Sequence, residues 1–161
     1  MADTDPAQPL ADLVDGGTIV MLMTMIGDEH SSRPLTVAAV DGSRLEFLVD
    51  ATTDWATAVR SGGVAVHASV SDTRANTYLS LQGSASMTLD AADVQRLWSP
   101  AASAFFDGPD DPALGVLRFD VDGGEYWDSP GGRIGSAIAL LKAKLGDDPG
   151  AAGAHGSVTA T

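Results

Sequence analysis

Two broad aromatic residues stand beside a rigid turn in the stretch Glu125-Tyr126-Trp127-Asp128-Ser129-Pro130-Gly131-Gly132-Arg133. Aromatics that end a strand next to such a turn can wall a flat ligand. Three upstream segments carry complementary chemistry. In Ser32-Arg33-Pro34-Leu35, Pro34 suits a strand start because it has no N–H to lend a ladder. Arg33 can aim its planar fork at a phosphate or a carboxylate. The alternative is an edge arginine paired to Asp28 or Glu29. From Asn76 to Gly83, Thr77, Leu79 and Leu81 alternate with Tyr78, Ser80 and Gln82, the pattern of a half-buried strand with one wet face. Finally, Val49-Asp50-Ala51-Thr52-Thr53-Asp54-Trp55 runs from a strand end into a helix start that Thr52 or Thr53 can cap.

Other chemistries find little support. The chain has no cysteine, which excludes disulfides, thiolate metal sites and a catalytic thiol. His30, His67 and His155 lack metal-ligand spacing, and no Ser-His-Asp arrangement can be argued. Nine basic residues against twenty-two acids give a net charge of −13, which argues against a nucleic-acid face. Both lysines, Lys142 and Lys144, lie late in the chain, so every earlier positive charge is an arginine. No apolar run is long enough to cross a membrane, and the start, Met-Ala-Asp-Thr-Asp, lacks a signal pattern. A cytoplasmic protein is the default expectation.

The elements that must position these residues read as follows. A length of 161 residues favours one domain. Residues 1–8 read as a flexible arm, and Leu10, Leu13 and Val14 give helical spacing over 9–15 before Gly16-Gly17. Thr18–Ile26 reads as a buried strand. Ser32–Val40 and Arg44–Val49 are joined by Asp41-Gly42-Ser43, a strong hairpin signal. The period becomes helical over 50–60, with Trp55, Ala56 and Val59 on one face. Strands are expected at 63–69 and 77–87, the latter bent at Gly83. Asp90 should cap a helix to Trp98, and Pro100–Phe106 adds a turn or two. Strands follow at 114–121 and 125–127. Ile134, Ile138, Leu141 and Leu145 form the stripe of a last helix. Residues 146–161, rich in Ala and Gly, read as a disordered tail whose removal leaves stability unchanged. Six or seven mostly antiparallel strands with peripheral helices suit a small Greek-key barrel.

In order and spacing, the segments at 32–35, 76–83 and 125–133 resemble the general stress protein branch of the FMN-binding split barrel family, the family of pyridoxamine phosphate oxidase. The resemblance spans about residues 10 to 145. It implies a split β-barrel over 9–145, a homodimer, and FMN between the subunits. It places the flavin beside Arg33, Pro34 and Leu35, puts Tyr78 and Ser80 along the pocket, and makes Trp127 an interface residue first and a flavin neighbour second.

At the flavin-phosphate site the chain departs from the family pattern. Relatives show a small hydroxyl residue at the strand end, then Ser or Thr and a Lys, sometimes with an Arg before it. Here those positions are Val49, Asp50, Thr52, Thr53, Asp54 and Trp55; Trp55 stands for the Lys, and Asp54 for the Arg. A phosphate near Asp50 and Asp54 is repelled by about a kcal/mol each at the surface. A missing Lys removes a charge-assisted bond worth about 1.5–3 kcal/mol. The leading expectation is a general-stress-type flavin protein, with flavin-dependent oxidoreductase activity in view and a weakened phosphate site. The rival is a non-enzymatic dimeric split barrel that has lost flavin binding. A deazaflavin-dependent reductase shares the barrel and meets the same objection at the phosphate.

Overall fold

The computed structural model describes residues 5–128 and 154–159. Among the described residues nine strands form one curled sheet: β1 Asp5–Pro9, β2 Ile19–Ile26, β3 Glu29–Thr36, β4 Ala39–Asp41, β5 Arg44–Asp50, β6 Val64–Asp72, β7 Thr77–Thr88, β8 Leu114–Asp128 and β9 Ala154–Thr159. The helices are α1 Leu10–Leu13, α2 Asp54–Ser61 and α3 Ala91–Leu97, with a 3-10 turn at Pro100–Ala104. The strand order is β1-β9-β8-β7-β6-β2-β3, and β5 with its partner β4 adds to β8. All pairings are antiparallel except β1 with β9. The ladder stops short of closure between β3 and β5; there the Ala38 N–H donates to the Glu46 carbonyl at 2.8 Å, across the corner where β3 gives way to β4. This is the expected split barrel with peripheral helices.

Strand β8 explains the split. Its first half, Leu114–Asp120, pairs with β5 and its second, Gly124–Asp128, with β9, while β7 runs along the other edge of both. The expected separate strands at 114–121 and 125–127 are therefore one. The bend lies between Gln82 and Gly83, where the β7–β8 register shifts. A Cβ at Gly83 would come within 1.9 Å of the Asp120 carbonyl oxygen, so only glycine fits.

The barrel interior follows from alternation. Val20, Leu22, Leu45, Phe47, Leu81, Phe119 and Tyr126 are fully or almost fully buried in one cluster. A second cluster, Val94, Leu97, Leu114 and Val116, seats α3 on the outside, capped by Asp90 accepting from Ala92 N at 2.9 Å. The run read as a buried strand over 18–26 is one-sided: Val20, Leu22 and Thr24 face in, whereas Ile19, Met21, Met23 and Met25 are exposed.

The chain ends require two corrections. Within the expected flexible arm, Asp5–Pro9 is a strand, and within the expected disordered tail, Ala154–Thr159 is another, inserted between β1 and β8. Small residues suggested a segment without a core, but here they permit contact: a Cβ at Gly156 would sit 2.7 Å from the Tyr126 ring, and Val158 is buried in the main cluster. The helix expected over 9–15 shrinks to Leu10–Leu13. The helix expected over 134–145, and residues 146–153, lie outside the described residues. Among the described residues no helix is long and apolar enough to cross a membrane.

Candidate functional site

Arg33 sits on the inner face of β3, opposite Leu22 of β2. Its guanidinium lies over the Trp55 ring, 4.2 Å from the centroid. Nη1 and Nη2 each donate to the Thr24 hydroxyl at 3.2 Å, and Nη2 also donates to the Ser31 hydroxyl. No carboxylate among the described residues pairs with it, so the pairing with Asp28 or Glu29 does not form. Burial draws its pKa below the ordinary arginine value. A cation held by hydroxyls and an aromatic face keeps its full charge available to a ligand.

The turn from β5 into α2 is locally self-satisfied. Asp50 Oδ1 accepts from Thr52 N at 2.9 Å and from the Thr52 hydroxyl at 2.5 Å. These two bonds, the side-chain one foremost, hold the Asp50 carboxyl below the usual range. Thr53 occupies the N-cap position, yet its hydroxyl donates backward to the Asp50 carbonyl at 3.0 Å and does not cap α2. Asp54 and Trp55 open the helix.

Two cavities meet here and share Arg33, Thr53 and Trp55. The first, about 600 Å³, is polar-rimmed, with Glu29, Ser31, Thr52 and Asp54. The second, about 610 Å³, runs between residues 33–38 of β3 and its extension, residues 48–50 of β5, and a roof from residues 97–106. That roof includes Leu97, Ala102, Phe105 and Phe106, none of which the sequence reading placed at a site. The signal was the consecutive pair Phe105-Phe106 ahead of an acidic loop, where two large apolar residues need a surface to cover.

Charge pairs fix the roof. The buried Glu46 of β5 accepts from Arg96 Nη1 and Nη2 of α3, both at 2.9 Å, and Arg118 Nε of β8 lies 3.5 Å from Oε1, the oxygen that Arg96 Nη2 also meets. Asp93 joins Arg96 at 3.1 Å and Arg118 at 2.7 Å. Hydrogen bonding from Arg96 is the main reason that the Glu46 and Asp93 carboxyls titrate below their usual range. The network ties α3 to β5 and β8.

The structure thus brings Arg33, Pro34, Leu35, Val49, Asp50, Thr53 and Trp55 around one cavity and Thr52 around its neighbour. It does not bring Tyr78, Ser80 or Trp127 there. Tyr78 and Trp127 are paired across β7 and β8 with both rings exposed, and Ser80 Oγ lies 2.8 Å from His67 Nε2 on the same outer face. Among the described residues no group of three His, Cys, Asp or Glu could hold a metal ion.

Barrel, corner cleft and roof define a protein of the split-barrel class. The chain belongs to the pyridoxamine 5'-phosphate oxidase like family, whose sequence profile matches residues 5–149. Among solved structures, it is similar to a protein described as a general stress protein 26 from Jannaschia sp. CCS1, with 28% identity over 88% of this chain and 90% of that one, at a TM-score of 0.67. It is also similar to the general stress FMN/FAD binding protein of Xanthomonas citri, with 26% identity over 71% and 82% of the two chains and a TM-score of 0.63. A general stress family protein of Xanthomonas campestris pv. campestris gives 28% identity over 70% and 79%, at 0.61. No curated protein matches the chain.

The residues present fit one part of a flavin mononucleotide and not the other. Pro34, Leu35, Val49 and Trp55 supply apolar walls for a ring. For the phosphate, Arg33 is the one cation lining either cavity among the described residues, against the three carboxylates of Glu29, Asp50 and Asp54. A dianion is poorly matched to that lining.

Proposed function

We propose that this chain is a general-stress-type split-barrel protein that takes a flavin by its ring at the barrel corner and holds the flavin phosphate weakly. The observation that carries the reading is the Arg33–Trp55 stack, which occupies the junction of both cavities where the family pattern calls for a cationic grip. A flavin bound there would supply hydride or electron transfer, and the chain would supply orientation and a dry wall. Arg33 would meet the anionic part of the ligand, Thr52 and Thr53 its polar chain, and Pro34, Leu35 and Trp55 its flat part. The likeness to a general stress FMN/FAD binding protein supports the ring half of the reading.

The active form in this reading is a homodimer. Ile19, Met21, Met23 and Met25 of β2, with Tyr78 and Trp127, leave large apolar side chains exposed on the outer sheet face. A second copy covering that face would bury them and would add Tyr78, Ser80 and Trp127 to the surroundings of the ligand.

The test is a fluorescence titration of FMN and riboflavin into the purified full chain. Affinities within about threefold of each other are expected, because the phosphate gains little here. Sub-micromolar FMN binding at a hundredfold advantage over riboflavin would overturn the weakened grip. The second reading, a barrel that has lost flavin altogether, is favoured by the three lining carboxylates; absence of any titration with either flavin would establish it.

A further inference from the structure

The second cavity points to a ligand that the flavin reading does not name. Its walls are apolar: Pro34 and Leu35 on one side, Leu48 at the floor, and Leu97, Ala102 and Phe106 in the roof. Its volume, about 610 Å³, is that of a small-molecule pocket. Arg33 at its mouth has no carboxylate partner among the described residues. Three of the five guanidinium donors go to the hydroxyls of Thr24 and Ser31, which leaves two, one of them Nε–H, for a guest. The Trp55 ring fixes the plane of the group. A half-buried, oriented cation beside an apolar chamber selects an anion with an apolar body. Asp50 at the cavity, with Glu29 and Asp54 across Trp55, limits how much negative charge that anion can carry.

We propose that this cavity binds an aromatic monocarboxylate, its ring between the Pro34-Leu35 strand and the roof and its carboxylate on Arg33. The inference does not depend on the flavin reading; the two guests would share Arg33, Pro34 and Leu35, so each would exclude the other. A phosphate ester of the same ring brings a second charge against the carboxylates and is discriminated against. The matching alcohol brings none and leaves Arg33 without a partner.

The test is calorimetric titration of the full chain with three probes of one shape: 2-naphthoate, 2-naphthyl phosphate and 2-naphthalenemethanol. Naphthoate is expected to bind at least tenfold more tightly than either of the others. Arg33→Gln should erase that preference, and Arg33→Lys, which keeps the charge but loses the planar fork, should retain only part of it. Ala102→Trp fills the chamber from the roof and should abolish naphthoate binding with the melting temperature unchanged. Naphthyl phosphate binding as tightly as naphthoate, naphthoate failing to bind at millimolar concentration, or naphthoate affinity surviving Ala102→Trp would each overturn the proposal. FMN and riboflavin titrated into the same preparations report on the flavin reading separately. Flavin binding without naphthoate binding sinks this inference alone; naphthoate binding without flavin binding sinks the flavin reading alone.

Discussion

Restoring the missing cations at the barrel corner should convert a poor phosphate site into a good one. Glu29, Arg33 and Asp54 are the charged residues that line the first cavity, so its formal charge is 1 − 2 = −1. Trp55→Lys combined with Asp54→Arg leaves three cations against Glu29, or 3 − 1 = +2. Each new charge-assisted bond to a phosphate is worth about 1.5–3 kcal/mol. Removing the Asp54 carboxylate relieves about 1 kcal/mol more at surface dielectric. Losing the Arg33–Trp55 stack costs about 0.5–1 kcal/mol, and the new Lys crowds Arg33 with like charge until a dianion arrives. With like-charge crowding taking up part of that sum, a net gain of at least about 1.4 kcal/mol, a tenfold or greater tightening of FMN, is expected. Riboflavin, which lacks the phosphate, should gain less than threefold. Flavin fluorescence titration of wild type and double variant reads both numbers. Equal gains for the two flavins would show that positions 54 and 55 do not face the phosphate, and the placement of the site would fall with the electrostatic reasoning.

Glu46→Ala should lower the melting temperature by about 2–8 °C, from a loss of about 1–2 kcal/mol discounted for the half-exposed Arg96, in a domain where each kcal/mol moves it by about 2–4 °C. Because hydrogen bonds to arginine depress the folded pKa of Glu46 and Asp93, their contribution is present at neutral pH and is lost as pH falls through those depressed values; Glu46→Gln should flatten the decline in urea stability between about pH 5 and 3. Removing residues 147–161 takes away β9 and the buried Val158, so a drop of several degrees in melting temperature is expected; an unchanged value would show that β9 adds nothing. Light scattering should give about twice the chain mass of 16.4 kDa at micromolar concentration, and a reading at 16.4 kDa would refute the dimer.

Much of the barrel could be read from period and punctuation. Asp41-Gly42 marked its hairpin, Asp90 its helix cap, and Gly83 its bend, because in each case a local steric or hydrogen-bonding demand selects the residue. The continuous apolar run at 19–26 misled, since a strand buried on both faces and one with an uncovered face have the same composition. Residues 154–159 misled for the opposite reason: glycine and alanine suggest weak packing, yet the ring of Tyr126 needs a small neighbour. At the candidate site, Arg33, Asp50, Thr52, Thr53 and Trp55 came from the family resemblance; four of them fall in one short strand–turn–helix unit, and Arg33 meets them from β3 across the open corner of the barrel. The roof was not legible, because Leu97–Phe106 reaches the cavity through long-range contacts, the apolar cluster with Leu114 and Val116 and the pair of Glu46 with Arg96.

Strand β8 keeps one partner on one edge and exchanges partners on the other, from β5 to β9. Its last five residues, Gly124–Asp128, are therefore shielded on that side by a single short strand from the far end of the sequence. Should β9 peel away by proteolysis or mild heating, a row of unpaired N–H and C=O groups opens along Gly124–Asp128, beside the exposed Trp127. The barrel proper would still stand, held by β5 and β7, but its newly bared margin would be a template for adding strands from other chains. Loss of solubility would then precede loss of fold, and the end of the chain would act as the guard on the sheet's stickiest border.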